Sequence, residues 1–230
     1  MTAAIGMYLR LRLPLPWLAA KEPIPLIVYG AAGAVGAFAI QLANISNIHP
    51  LICVAGKGAP FVEKLIDRSK GDTIVDYRDG DEAVVQGIRK ALNGKAVAHA
   101  FDAVSEKGSY QNICQVLDQQ KGNITLVLPG RKYEEIPKSI EQSLTAVGST
   151  HEDLKPDSGV PTNTREFAFT FFRLFGRGLR DGWFKGHPYE VVPGGLEGVQ
   201  TALTNLKDGK ASAVKYVFRI DETPGVKSSL

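Results

Sequence analysis

Short apolar runs alternate with longer stretches of helical periodicity along the first two thirds of the chain. Runs rich in β-branched and aromatic residues, bounded by Gly, Pro, Asn or Asp, predict strands at residues 24–29, 50–55, 72–76, 97–102 and 123–128. Between them, apolar positions at helical spacing predict helices at 36–46, 60–69, 81–92 and 107–117. Strand, helix, strand at this spacing demands right-handed crossovers. The fold class expected is therefore α/β, a doubly wound parallel sheet with helices on both faces.

The remaining third follows another pattern. An edge strand is predicted at 144–148, then the polar, proline-interrupted loop "HEDLKPDSGVPTNT", a long helix at 165–181, a short helix at 196–207 and a closing strand at 214–220. The organisation expected is an N-terminal helix and linker over residues 1–22, a Rossmann domain over 23–150 and a C-terminal extension over 151–230. No internal repeat is visible.

The first strand–helix junction reads "VYGAAGAVGAFAIQLA" over residues 28–43. Gly30, Gly33 and Gly36 depart from the dinucleotide template G-x-G-x-x-G, because Ala31 stands where its first glycine would be. The setting is more telling than the spacing, since an apolar strand enters the turn and an apolar helix leaves it. Gly30 suits a tight turn, Gly33 lets backbone approach a pyrophosphate, and Gly36 lets helix pack on strand. The helix N-terminus would offer free N–H groups and a positive dipole end to phosphates. The simpler alternative is a tight connection that binds nothing.

NAD-preferring sites place an acid after the second strand, on the ribose 2′-OH. Here the sequence is "CVAGKGAP", with no acid before Glu63 and with Lys57 in its place. A cation there suits a 2′-phosphate, so NADPH is the cofactor expected; the alternative is a solvated loop lysine.

The blocks "GAAGAVGAFAIQLA", "DTIVDYRDGD", "FDAVSEKGSY", "GNITLVLPG" and "GLEGVQTALTNLKDGKASAVKYVF" occur in that order. Together they resemble the medium-chain dehydrogenase/reductase superfamily, in its zinc-independent quinone-oxidoreductase and enoyl-reductase branch of fungal type, over residues 1–221. The resemblance implies that Gly30, Ala32, Gly33, Ala34 and Val35 cradle the pyrophosphate and that Tyr77 joins Lys57 at the 2′-phosphate. It also implies that Val104, Ser105 and Leu128 flank the ribose and nicotinamide. The reaction implied is hydride transfer from NADPH to a quinone or an activated C=C, a small-molecule acceptor. Family members begin with a GroES-like barrel that carries much of the substrate pocket, and the expectation is that this barrel is missing here. A non-enzymatic NADPH-binding module, a redox sensor or partner subunit, is the rival reading.

Composition narrows the field further. With 27 basic and 24 acidic residues the net charge is +3, too slight to argue for nucleic acid. No apolar run reaches the length of a membrane helix. Arg10, Arg12 and Lys21 without an acid raise a mitochondrial transit peptide, against which Pro14, Pro16 and the lack of serine weigh; a cytoplasmic location is expected. Cys53, Cys114 and the four histidines are scattered singly, so no metal site is expected, and no catalytic acid is assigned. "REFAFTFFRLFGRGLRDGW" predicts an amphipathic helix that buries Phe167, Phe171, Leu174 and Phe175 and shows Arg173, Arg177 and Arg180 to solvent. The resemblance sets this region beside the substrate cleft, which puts Phe171, Phe175 or Trp183 at an apolar pocket. An unpaired edge at "LTAVGST" invites a twin strand, hence a homodimer through that edge.

Overall fold

The computed structural model describes residues 1–151 and 164–226. The chain divides into two compact units, Met1–Lys185 and Gly186–Leu230. The first is built on a parallel sheet of six strands in the order β3-β2-β1-β4-β5-β6. The strands are β1 (Leu26–Tyr29), β2 (Leu51–Ala55), β3 (Thr73–Asp76), β4 (His99–Asp102), β5 (Asn123–Leu126) and β6 (Glu141–Leu144). The order reverses between β1 and β4, which makes their C-terminal ends the switch point of a doubly wound sheet.

Successive side chains of a strand point to opposite faces, and each face carries its own core. Leu26, Val28, Leu51, Cys53, Ala55 and Phe101 pack on one side. Ile27, Tyr29, Ile52, Val54, Ala100, Ile124 and Leu126 pack on the other. The second face is covered by α4 (Asp81–Leu92) and α5 (Ser109–Cys114), the first by α1 (Thr2–Ala4) and α2 (Ala34–Ile45), with α3 (Ala59–Val62) at its side. After α1 the chain continues as a π-helix, Ile5–Arg10. Gly6 is needed there, because a methyl group at its position would lie 2.3 Å from the Phe101 ring. Tyr8 ties this segment to α2 through its hydroxyl, 3.3 Å from the Leu42 carbonyl and 2.9 Å from Ser46 Oγ.

The long helix α6 (Thr164–Asp181) belongs to the same unit. Phe171 and Phe175 are buried and Phe167 and Leu174 half-buried, as the periodicity predicts. Phe171 stacks on Tyr8 at 5.1 Å and Phe167 at 4.2 Å, while Phe175 lies parallel to Phe184 at 4.9 Å. With Phe171 at 1% and Phe175 at 8% exposure, both are core residues. Gln41 of α2 pins the end of this unit, donating to the Lys185 carbonyl at 3.1 Å and accepting from its N–H at 2.8 Å.

Three predicted elements differ in extent. The helix expected at 60–69 is only Ala59–Val62, followed by turns and a 3₁₀ segment, Arg68–Lys70. Asp67 accepts hydrogen bonds from the Ser69 N–H at 3.0 Å and its hydroxyl at 2.6 Å, and so caps that 3₁₀ segment. The helix expected at 107–117 begins at Ser109, because Lys107 and Gly108 are left-handed, with φ of 53° and 85°. The edge strand expected at 144–148 lies instead at Glu141–Leu144, and Val147–Thr150 is a 3₁₀ turn whose Ser149 and Thr150 hydroxyls donate back to Ala146 and Val147 carbonyls. Of the polar loop at 151–164, residues 152–163 lie outside the described residues.

In the second unit β7 (Tyr189–Val191) and β8 (Lys215–Val217) pair in parallel, joined by a chain that includes a 3₁₀ turn, Gly195–Gly198, and α7 (Val199–Lys207).

Candidate active site

The C-terminal ends of the parallel strands bring together residues that are far apart in sequence. At the end of β1, Gly30 has φ +75°, a conformation that suits glycine, and a methyl group at its position would lie 2.6 Å from Val104 Cγ2. The glycine turn therefore sits directly against the loop that leaves β4. Gly36 serves helix packing, because its missing side chain would fall 2.4 Å from the Gly30 carbonyl oxygen, so only glycine lets α2 pack on the turn.

Gly33 is different again. It is exposed, and a methyl group there would meet only the Gly30 carbonyl oxygen, at 3.4 Å. It is the N-cap of α2, where no side chain caps the helix. The turn thus presents an open helix N-terminus, with Ala32, Ala34 and Val35 half-buried around it. Small residues, free N–H groups and the dipole end make a cradle that an anionic phosphate fits.

On the β2 side the sequence continues Gly56-Lys57-Gly58, with Lys57 exposed. Tyr77 follows β3 in a 3₁₀ turn, Tyr77–Asp79, and its ring lies over Gly56, where a methyl group would be 2.7 Å from Cε1 and Cζ. Tyr77 keeps half of its surface exposed. Arg78 is turned aside and engages Asp76 through two nitrogens. No carboxylate occurs between the end of β2 and Glu63.

On the β4 side a buried carboxylate organises the loop. Asp102 Oδ1 accepts hydrogen bonds from the Val104 and Ser105 N–H groups at 2.9 and 2.8 Å, and Oδ2 accepts from Ser109 Oγ at 2.6 Å. Burial pushes the Asp102 carboxyl above its ordinary value, against the lowering effect of these donors. Ser105 Oγ donates to the Asp102 carbonyl at 3.0 Å and accepts from the Val127 N–H at 2.9 Å, which ties this loop to the end of β5. Leu128 is half-buried one residue on, and its carbonyl accepts from the Tyr133 hydroxyl at 2.7 Å. The Asn112 amide of α5 donates to Asp81 at the start of α4 at 2.8 Å.

Sequence reasoning missed Gly56, Asp102, Ser109 and Tyr133. For Asp102 the sign was "FDAVS", a carboxylate followed at short range by N–H groups it can bind as an Asx turn. Among the described residues, no group of three His, Cys, Asp or Glu could hold a metal ion.

Trans-enoyl reductase fsr4 of Gibberella fujikuroi is 53% identical over 199 residues, which covers 86% of this chain and 56% of that protein. The chain is homologous to the trans-enoyl reductases. Trans-enoyl reductase ACTTS2 of Alternaria alternata is 31% identical over 222 residues, covering 96% of this chain and 62% of that protein. The chain thus spans little more than half the length of these curated relatives. No family model matches it. Among solved structures, JamJ enoyl reductase in its apo form superposes with a TM-score of 0.67 at 15% identity, covering 94% of this chain and 60% of that one. Quinone oxidoreductase of Pseudomonas syringae gives 0.62 at 17% identity, covering 94% and 62%. These two likenesses show the fold alone. No described helix is long and apolar enough to cross a membrane.

Proposed function

We propose that this chain is the NADPH-binding part of a reductase that delivers hydride to an activated C=C or to a quinone. The observation that carries the reading is the open N-terminus of α2 at the switch point, with Gly33 exposed and no carboxylate between β2 and Glu63. Bound NADPH supplies the hydride from its dihydronicotinamide. The backbone around Gly30, Ala32, Gly33, Ala34 and Val35 holds the pyrophosphate. Lys57 neutralises the 2′-phosphate, and the Tyr77 ring, backed by Gly56, borders the adenosine side. Val104, Ser105 and Leu128 flank the nicotinamide ribose and its ring. The relatives named trans-enoyl reductases favour an enoyl or enone acceptor. The exposed edge at β6 is the place for pairing with a second copy, and light scattering of the purified chain reads that homodimer directly.

The test is a titration of the purified chain with NADPH and, separately, NADH, followed by the fluorescence of Trp17 and Trp183. An enone or a quinone is then added and NADPH absorbance recorded. NADPH-selective binding with acceptor-dependent oxidation is expected. A folded chain that binds neither nucleotide overturns the reading. Binding without oxidation by either acceptor overturns the reductase half and leaves a binding module.

A further inference from the structure

Asp102 is fully buried, with no accessible surface, at the last position of β4. A carboxylate in such a place costs desolvation and persists only where hydrogen bonds offset that cost. All three of its side-chain partners, the Val104 and Ser105 N–H groups and the Ser109 hydroxyl, lie in the loop and helix that follow β4. No cation lies among them. What the carboxylate secures is the shape of that loop.

That shape is not one the backbone adopts unaided. Ser105 has φ 61° and Lys107 φ 53°, left-handed conformations that non-glycine residues take only when held. The loop is also the hinge between two strand ends, since Ser105 Oγ joins the Asp102 carbonyl to the Val127 N–H. In a doubly wound sheet the β1–β3 half takes one mononucleotide and the β4–β6 half the other. With the adenosine side on Lys57 and Tyr77, the β4 and β5 ends face the nicotinamide.

Resting on the NADPH reading above, we propose that Asp102 is a positioning residue. Its carboxylate fixes Val104 and Ser105, and through Ser105 the end of β5, as one clamp for the nicotinamide half of the cofactor. Hydride transfer needs the ring held within a fraction of an ångström, which gives a preset clamp its value.

The experiment compares NADPH with 2′,5′-ADP, which carries only the adenosine half, on the full chain. Asp102→Ala is expected to weaken NADPH about tenfold or more while leaving 2′,5′-ADP within about twofold. Asp102→Asn is expected to recover most of the loss, because its Oδ1 accepts from the same two N–H groups and its amide donates to Ser109 Oγ. Ser109→Ala removes one donor only and, should Asp102→Ala fail to fold, carries the same test with a loss of about threefold confined to NADPH. Equal losses for both ligands mean a merely structural residue and overturn the proposal, as does unchanged NADPH affinity in both alanine variants. If the unaltered chain binds 2′,5′-ADP but not NADPH, the clamp fails while the phosphate cradle stands; if it binds neither, the NADPH reading itself fails.

Discussion

Gly33→Ser separates the cradle from the fold. The position has φ −73° and ψ 160°, ordinary for serine at a helix N-cap, and the new Cβ meets only a carbonyl oxygen at 3.4 Å. Serine caps at least as well as glycine, by a few tenths of a kcal/mol, so the melting temperature should hold or rise slightly. The same side chain occupies the open space and its hydroxyl claims an N–H group at the N-terminus of α2. A phosphate there would lose about two charge-assisted hydrogen bonds of about 1.5 kcal/mol each, or roughly 100-fold in affinity. Gly36→Ala is the counterpart. Its methyl group would fall 2.4 Å from the Gly30 carbonyl oxygen and 2.9 Å from Ala31 Cα, all of it backbone that cannot swing aside. Overpacking of about 1–3 kcal/mol outweighs a helix-propensity gain of about 1 kcal/mol, so the melting temperature should drop by a few degrees. Thermal scans and NADPH titrations of both variants read the contrast. A Gly33→Ser chain that is folded and binds NADPH as tightly as the unaltered one refutes a phosphate site at this helix end.

Lys57→Glu should cost about tenfold in NADPH affinity and leave NADH unchanged, since only the 2′-phosphate meets that charge; equal losses for both nucleotides would dismiss the assignment. Phe171→Ala should destabilise the first unit by about 3–5 kcal/mol in urea unfolding, because it empties a stack between Tyr8 and Phe167, and a change under about 1 kcal/mol would mean the stack is not the core contact it looks to be. Burial, with the Arg12 charge, holds His99 below its ordinary 6.5, so the folded state favours the neutral ring. Its contribution is complete above about pH 6.5 and is lost as pH falls through the lowered folded value, so between about pH 7.5 and 5.5 the unaltered chain should lose stability relative to His99→Gln. A gain on acidification would reverse the sign and refute the shift.

The sheet was legible because its strands are buried on both faces and read as unbroken apolar runs, as "LIVY" and "LICVA" do. The glycine turn was legible because strand, small residues and helix follow one another locally. β6 was not, since "EQSL" is a largely exposed edge that carries no apolar signal, while "LTAVG" beside it imitates a strand. The helix at 59–62 stops short because the chain passes into i→i+3 turns, Lys64 N–H to the Phe61 carbonyl and Leu65 N–H to Val62, a choice that periodicity does not register. The burial of Asp102 was not legible for a related reason. Aspartate is counted among exposed residues by default, and only tertiary structure shows it buried among three donors.

The two halves of the cradle are built on different physical terms. Around β1, β2 and β3 the groups that would meet the cofactor are exposed: Gly33, Lys57 and Tyr77 stand in or near solvent, and a charged ligand gains affinity from them without their being locked in place. Around β4 and β5 the loop conformations are set in advance by buried hydrogen bonds through Asp102 and Ser105. Affinity tolerates small displacements, whereas transfer of a hydride does not, so rigidity belongs where the reactive ring would sit on the proposed reading. Substitutions on the first half should therefore act on nucleotide affinity alone. Those on the second should also slow turnover at saturating NADPH, and measuring Lys57→Glu and Asp102→Ala under that condition sets the two halves side by side.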